Sequence, residues 1–291
     1  MTTRPPAPDP LDGALPAVTN TLGQLPGAPG SRWISAKLFT HPERIDELIT
    51  DELPDLLSTL DAPLCWWLRY RSLQETDHLR LRLEATPGHY SQYTQVIGEW
   101  TQRMRQAGLV ERLVIDTYYP EVGRYGAGEA LDAAENVFAA DSATAAALLR
   151  YLPTATPKLA LVPVNMAGIL TGFFGDTGAA MEWLATRPAP AAPALDRAVS
   201  EHAIRLATDP SALRKLLGWH TDIERAWDNR TAALTDYRKA LPPETNTDVV
   251  LESLLHMHHN RLIGIDRDSE RSCRRLTRHA ALTWQHRGGA G

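Results

Sequence analysis

His78-Leu79-Arg80-Leu81-Arg82-Leu83-Glu84 alternates polar and apolar side chains without a break. A period of two is the signature of a β-strand with two unlike faces. Leu79, Leu81 and Leu83 share one face, and His78, Arg80 and Arg82 share the other. Upstream, Leu64 to Arg71 is an aromatic-rich strand with Arg69 and Arg71 on one face and Leu68 and Tyr70 on the other. The short polar stretch Ser72 to Asp77 joins the two as a hairpin. Before it, His41 to Leu60 carries Ile45, Leu48, Ile49, Leu53, Leu56, Leu57 and Leu60 at helical spacing, with Pro54 as a kink or break, and Trp33 to Thr40 reads as a strand. Downstream, Pro87 to Gln106 is a helix closed by Gly108. Leu109 to Tyr118 is a fourth strand, with Arg112 and Asp116 opposite Leu113 and Ile115.

The order β-α-β-β-α-β is the ferredoxin-like split unit, which builds one antiparallel sheet. Beyond Pro120 the pattern turns helical, with segments near 129–152, 158–186, 195–217, 219–240, 247–263 and 266–286. The fold class expected is therefore α+β: the sheet part occupies about 32–120 and a large helical half about 121–291. Residues 1–31 hold Pro5, Pro6, Pro8, Pro10, Pro16, Pro26 and Pro29 with several glycines. Such a stretch cannot pair its backbone regularly and reads as a flexible or loosely docked tail, with ordered sequence starting at Trp33. Residues 32–291 read as a single domain.

The 291 residues carry a formal net charge of −5, so no basic excess points to direct nucleic-acid binding. No N-terminal basic-then-apolar region and no apolar run of about 18 residues is present, so neither secretion nor membrane insertion is expected. A cytoplasmic location follows by default. Cys65 and Cys273 form no CxxC pair and read as reduced thiols. GxGxxG, P-loop and GxSxG patterns are missing.

Three places carry candidate chemistry. The arginine face of the His78 strand is either a solvated face or, if the helical half packs over it, an enclosed guanidinium cluster that needs anionic partners. A planar guanidinium fork suits carboxylates through paired hydrogen bonds. The loop Glu121-Val122-Gly123-Arg124-Tyr125-Gly126 follows the last strand; Arg124 can act there, cap the next helix or pair with Glu121. In the helix Asp248 to Ile263, capped by Asp248 or Thr247 and stopped by Gly264, Ser253, His256 and Asn260 form a polar stripe on a mostly apolar surface. His256 is either a buried, hydrogen-bonded core residue or a proton carrier suited to neutral pH. His258 and His259 rotate away from the stripe and are expected to matter less. The three histidines are not HExxH and have no accompanying ligand set, so no metal site is expected.

Together the Trp33-Ile34-Ser35-Ala36-Lys37-Leu38 opening, the Leu68-Arg69-Tyr70 strand, HLRLRL, DTYYPEVGRYG and SLLHMHHNRL resemble, over residues 32–291, the C-terminal domain of lantibiotic dehydratases. The resemblance implies an enzyme that removes glutamate from glutamylated Ser or Thr of a ribosomal precursor peptide, leaving dehydroalanine or dehydrobutyrine. It implies no cofactor, and a separate tRNA-dependent glutamylation enzyme as partner, since the glutamylation half of such dehydratases is not found in this sequence. The catalytic positions it implies are Arg80, Arg82, Arg124 and His256, the last as base or proton shuttle. Glu121, which matches an acidic position in the motif, His78 and Tyr125 are expected to bind substrate beside them. If the histidine helix crosses the arginine face, His256 comes near Arg82 and Arg124 in a cationic surround. Relatives of the same type perform a formal [4+2] cycloaddition of two dehydroalanines, a pyridine-synthase activity, which is the alternative reading. A non-catalytic leader-peptide-binding scaffold is a third.

Overall fold

The alternating strand lies inside a four-stranded antiparallel sheet of β1 (Trp33–Phe39), β2 (Cys65–Tyr70), β3 (His78–Glu84) and β4 (Arg112–Asp116). The strand order is β2-β3-β1-β4, that of a ferredoxin-like split unit. The computed structural model describes residues 23–86, 88–189, 191–218 and 220–288. Leu81 is paired with Ala36 on one side and Trp67 on the other, and Arg82 with Ser35 and Trp66. The register therefore sorts the sheet into two faces. Ile34, Ala36, Leu38, Leu79, Leu81 and Leu83 have no exposed surface, and share a core with Ile45, Leu48 and Ile49 of the first crossover and Ile97 and Trp100 of the second. Trp66, Leu68, Tyr70, Lys37, His78, Arg80, Arg82 and Asp116 occupy the opposite face.

The first crossover shows how Pro54 is tolerated. A 3-10 turn (Pro42–Arg44) leads into α1 (Ile45–Glu47), a π-helical stretch (Leu48–Glu52) and α2 (Leu53–Thr59). The Leu53 N–H reaches back to the Leu48 carbonyl, so the helix widens just ahead of the proline. Pro54 has no N–H to give the Thr50 carbonyl, and Arg150 donates to that oxygen instead. The expected break is thus a change of pitch. The second crossover is α3 (Tyr90–Gln106).

The helical half comprises α4 (Val122–Tyr125), α5 (Glu129–Tyr151), α6 (Leu161–Phe174), α7 (Thr177–Thr186), α8 (Arg197–Thr208), α9 (Pro210–Leu217), α10 (Thr221–Ala240), α11 (Thr247–Leu262) and α12 (Arg267–His286). Two expected helices are each divided. The 158–186 segment turns by 120° between α6 and α7, where Gly175 adopts a left-handed φ of 74° and the Asp176 side chain caps the Ala179 N–H. The 195–217 segment divides at Asp209, whose side chain caps α9 ahead of Pro210. Asn246 caps α11, while Asp248 takes hydrogen bonds from the Trp183 indole and Arg187. Among the described residues, no single helix is long and apolar enough to cross a membrane.

Of the expected N-terminal tail, residues 1–22 lie outside the described residues. Ordered chain nevertheless precedes Trp33: Gln24 and Tyr118 exchange two backbone hydrogen bonds of 2.7 and 3.0 Å.

The helical half is pinned from within by a buried ion cluster. Asp141 of α5 accepts from Arg230 of α10 (2.9 Å), and from His258 (2.9 Å) and Arg261 (2.8 Å) of α11. All four side chains are 2% exposed or less. Burial on its own would raise the Asp141 pKa, but His258, Arg261 and Arg230 hold it far below the usual carboxylate range. His258 is therefore a core residue, turned away from the stripe of Ser253, His256 and Asn260. Removing the single anion strands two guanidinium groups in the interior, a change that costs about 3–5 kcal/mol. Asp141→Asn, nearly isosteric, is expected to lose that much in urea unfolding, and an unchanged midpoint would show that the cluster is not holding the helices together.

Candidate functional site

The helical half does cover part of the polar sheet face. Lys37, Leu68, Arg80, Arg82 and Asp116 line a cleft of about 280 Å³ that is closed by Tyr118, Glu121, Tyr125, Phe138 of α5 and Met257 of α11. Within it the charges are not balanced pairwise. Lys37 is held between Glu75 and Asp116, at 2.7 Å from each. Arg80 stacks its guanidinium 3.3 Å over the Tyr70 ring, and Glu75 stands 3.7 Å away.

Arg82 is different. Its residue is 8% exposed, and it lies 5.3 Å from the Trp66 ring and 5.6 Å from that of Tyr118. One terminal nitrogen donates to the Leu81 carbonyl at 3.1 Å, while the buried Nε has no hydrogen-bond partner. Among the described residues it forms no ion pair. Burial, with Arg80 adding to it, lowers its pKa to about 10, which leaves it charged at neutrality. A desolvated cation with donors to spare is an anion receptor, and its planar fork matches a carboxylate.

His78 shares the face of Arg80 and Arg82 but does not reach the cleft. It is fully buried, with ring contacts to Phe39 (4.8 Å) and Tyr70 (5.5 Å). Its Nδ1 donates to the Thr76 carbonyl at 2.8 Å, leaving Nε2 to accept from Arg80 Nε at 3.4 Å. His78 thus supports Arg80 from beneath instead of meeting a ligand. Tyr125 does line the cleft; it is fully buried, and burial raises its pKa while Arg124 beside it opposes the rise.

Arg124 and His256 lie together in an adjoining cleft of about 430 Å³, with Asp248, Val249, Glu252, Ser253 and Arg274. Glu121, on the wall of the first cleft, pairs with Arg124 at 2.7 Å and so links the two. Met257 faces the first cleft and His256 the second, because successive helical residues diverge by about 100°. The structure therefore brings Arg80, Arg82, Glu121 and Tyr125 together, and Arg124 with His256, with α11 as part of the partition. The expected cationic surround of His256 is corrected by its immediate partner, a carboxylate. Its Nδ1 lies 2.9 Å from Glu270, and its Nε2 lies 2.9 Å from the Asn260 amide nitrogen. The other two histidines turn elsewhere, His258 to Asp141 and His259 to Ser269. Among the described residues, no three His, Cys, Asp or Glu side chains converge as metal ligands do.

Lys37 and Tyr118 lie inside the motifs quoted above without a role of their own there, and Glu270 lies outside them all. Lys37 is recoverable from strand alternation, since it is paired with Arg80. Glu270 follows the turn at Gly264, and no local pattern marks its contact with His256.

Comparison with known proteins gives a consistent assignment. The family model described as the lantibiotic biosynthesis dehydratase C-terminus matches residues 33–281. The subtilin biosynthesis protein SpaB of Bacillus subtilis is 25% identical over 276 residues, spanning 87% of this chain and 26% of SpaB. The nisin biosynthesis protein NisB of Lactococcus lactis subsp. lactis is 24% identical, spanning 84% of this chain and 25% of NisB. The chain thus spans about a quarter of the length of these curated relatives. Among solved structures, the tRNA dependent lantibiotic dehydratase MibB from Microbispora sp. 107891 superposes with a TM-score of 0.73 at 23% identity, over 90% of this chain and 29% of MibB. The pyridine synthase TbtD from thiomuracin biosynthesis superposes with a TM-score of 0.54 at 13% identity, over 87% of this chain and 98% of TbtD. At these identities the two structures establish the α+β fold, not the reaction.

The partners of Glu270 have a consequence for acid stability. Burial would raise its pKa, but His256 and Arg274 bring it down to about 2 from the ordinary 4.5. A carboxyl depressed on folding contributes stability that is present above its unfolded pKa and is lost as pH falls through the folded value. Glu270→Gln is therefore expected to flatten the fall of the urea midpoint between about pH 4.5 and 2. Superimposable acid limbs for variant and parent would rule out a native-state ion pair at Glu270.

Proposed function

The chain belongs to the lantibiotic biosynthesis dehydratase C-terminal family, and from that premise we propose that it is a lyase that eliminates glutamate from glutamylated Ser or Thr of a ribosomal precursor peptide. The observation that carries this reading is the buried Arg82, charged and in no ion pair among the described residues, in a cleft adjoining the one that holds Arg124 and His256. Glutamate esterified through its α-carboxyl still carries an anionic side chain. The Arg82 fork, with Arg80 beside it, can bind that group or the carboxylate that departs.

In the elimination, the Cα–H bond of the esterified residue breaks and its electron pair forms the Cα=Cβ bond. The Cβ–O bond breaks, and glutamate leaves as its α-carboxylate. His256 takes the Cα proton, directly or by relay, and Arg124 offsets charge that develops beside it. Glu121 holds Arg124 in place, and Tyr125 closes the pocket against water. None of these steps calls for a metal or cofactor. The ester itself comes from a separate tRNA-dependent glutamylation enzyme, and the precursor peptide is the only substrate this chain must bind.

One observation favours a second reading: this chain matches 98% of the length of the pyridine synthase TbtD. A formal [4+2] cycloaddition would consume two dehydroalanines and would place no anionic leaving group at Arg82.

Incubation with a glutamylated peptide and, separately, with a bis-dehydroalanine peptide, read by mass spectrometry, distinguishes the two. Loss of glutamate from the first and no change in the second is expected; the reverse would establish cycloaddition and overturn the proposal. Arg82→Lys should fail to restore turnover, because a point charge does not replace a bidentate fork. His256→Ala should accumulate intact glutamyl esters when the glutamylation partner and glutamyl-tRNA are supplied.

A further inference from the structure

His256 is not an isolated imidazole. Its Nδ1 lies 2.9 Å from one oxygen of Glu270, whose other oxygen faces Arg274 at 3.3 Å. Arg274 is in turn paired with Glu252 and donates to the Glu252 carbonyl at 2.8 Å. The series Glu252–Arg274–Glu270–His256 thus joins α11 to α12, with Glu252, Arg274 and His256 on the wall of the Arg124 cleft and Glu270 behind it. An ionised carboxylate can only accept hydrogen bonds, so the nitrogen facing Glu270 carries the proton. In the neutral ring Nε2 then carries the lone pair, which accepts from the Asn260 amide at 2.9 Å.

From this geometry we infer that Glu270 is the positioning residue of His256, fixing the tautomer that leaves Nε2 free to receive a proton, with Asn260 as the resting occupant of that lone pair. The inference rests on the proposed elimination for its catalytic meaning but not for its geometry. Glu270 does not touch the reacting atoms. It acts on the ring, and the Asn260 amide must release Nε2 when a Cα–H is presented.

The arrangement predicts an unusual consequence of an isosteric change. In Glu270→Gln the side-chain carbonyl stays with Arg274, which can only donate. The amide NH₂ is then turned toward His256 Nδ1 and donates to it. Nδ1 becomes the acceptor and the proton moves to Nε2, the wrong nitrogen for a base. Loss of the carboxylate that orients a catalytic histidine has been associated with a wrong tautomer and a fall in kcat on the order of 10⁴ in serine proteases.

The test uses full-length protein labelled with ¹⁵N-histidine, at a pH well above the ordinary imidazole range. The His256 signals are identified by their disappearance in His256→Gln. The parent should show Nδ1 protonated and Nε2 bare, and Glu270→Gln should show the reverse with the tautomers of the other histidines unchanged. The same variant should lose glutamate elimination by about 100-fold or more in kcat, with KM for the glutamylated peptide little changed. An unchanged tautomer in Glu270→Gln would overturn the inference, as would a parent protonated on Nε2. Because the spectrum involves no turnover, a parent with the expected tautomer but no eliminating activity would refute the proposed function and leave Glu270 as the residue that orients His256.

Discussion

A guanidinium taken out of water needs an anion, and Arg82 has none of its own within the described chain. That imbalance follows from strand geometry. Period-two alternation in β3 puts three leucines on the core face and obliges His78, Arg80 and Arg82 to share the other. Had that face stayed in water, the arginines would be ordinary surface residues. Phe138 and Met257, brought by α5 and α11, help to line the cleft beside Arg82, whose guanidinium lies 5.3 Å from the Trp66 ring and 5.6 Å from that of Tyr118. The neighbours divide the remaining work. Lys37 absorbs the nearby acids Glu75 and Asp116, and Tyr70 holds Arg80 by its ring. What is left is one charged fork with unfilled hydrogen bonds, an arrangement that favours binding a carboxylate from outside.

Placing the covering helices costs interior polarity. Asp141, Arg230, His258 and Arg261 fix α5, α10 and α11 relative to one another through a single buried anion. Such clusters are weak sources of net stability, yet a large penalty attaches to any packing that separates their members. The one that forms here holds α11 in a defined rotation. Met257 then reaches the arginine cleft, while His256 is turned to the cleft of Arg124 and meets Glu270. The buried ion cluster and the residue proposed to take the proton are thus neighbours on one helix, with His258 in the first and His256 as the second.

Much of this was legible in the sequence. Strand alternation gave β3 residue for residue, and the order of elements gave the sheet topology, because both depend on local periodicity. The stripe of Ser253, His256 and Asn260 was legible for the same reason, and His256 and Asn260 are indeed bonded to each other. Helix ends were less legible: Gly175-Asp176 and Asp209-Pro210 carry ordinary stop and cap chemistry, but the apolar periodicity on either side conceals it. Long-range polar contacts left no pattern at all. Asp141 sits in an alanine-rich helix like any solvent-facing acid, and its partners lie 89 to 120 positions away. The same limit hid Glu270 and the division of the arginines between two clefts, since both depend on how α11 packs against α4 and α12 and not on any spacing within one segment.

Capture of a glutamyl carboxylate by Arg82 is the step on which the proposed function rests. It is tested most directly by ¹⁵N-arginine spectra of the full chain during titration with a peptide whose glutamyl ester is replaced by a stable amide. The Arg82 signal can be assigned by its loss in Arg82→Lys. The Arg82 Nε–H resonance is expected to shift saturably and its hydrogen exchange to slow, as its unfilled bond is taken up by the ligand. Saturable binding that leaves Arg82 unmoved and shifts only arginines of the helical half would contradict it.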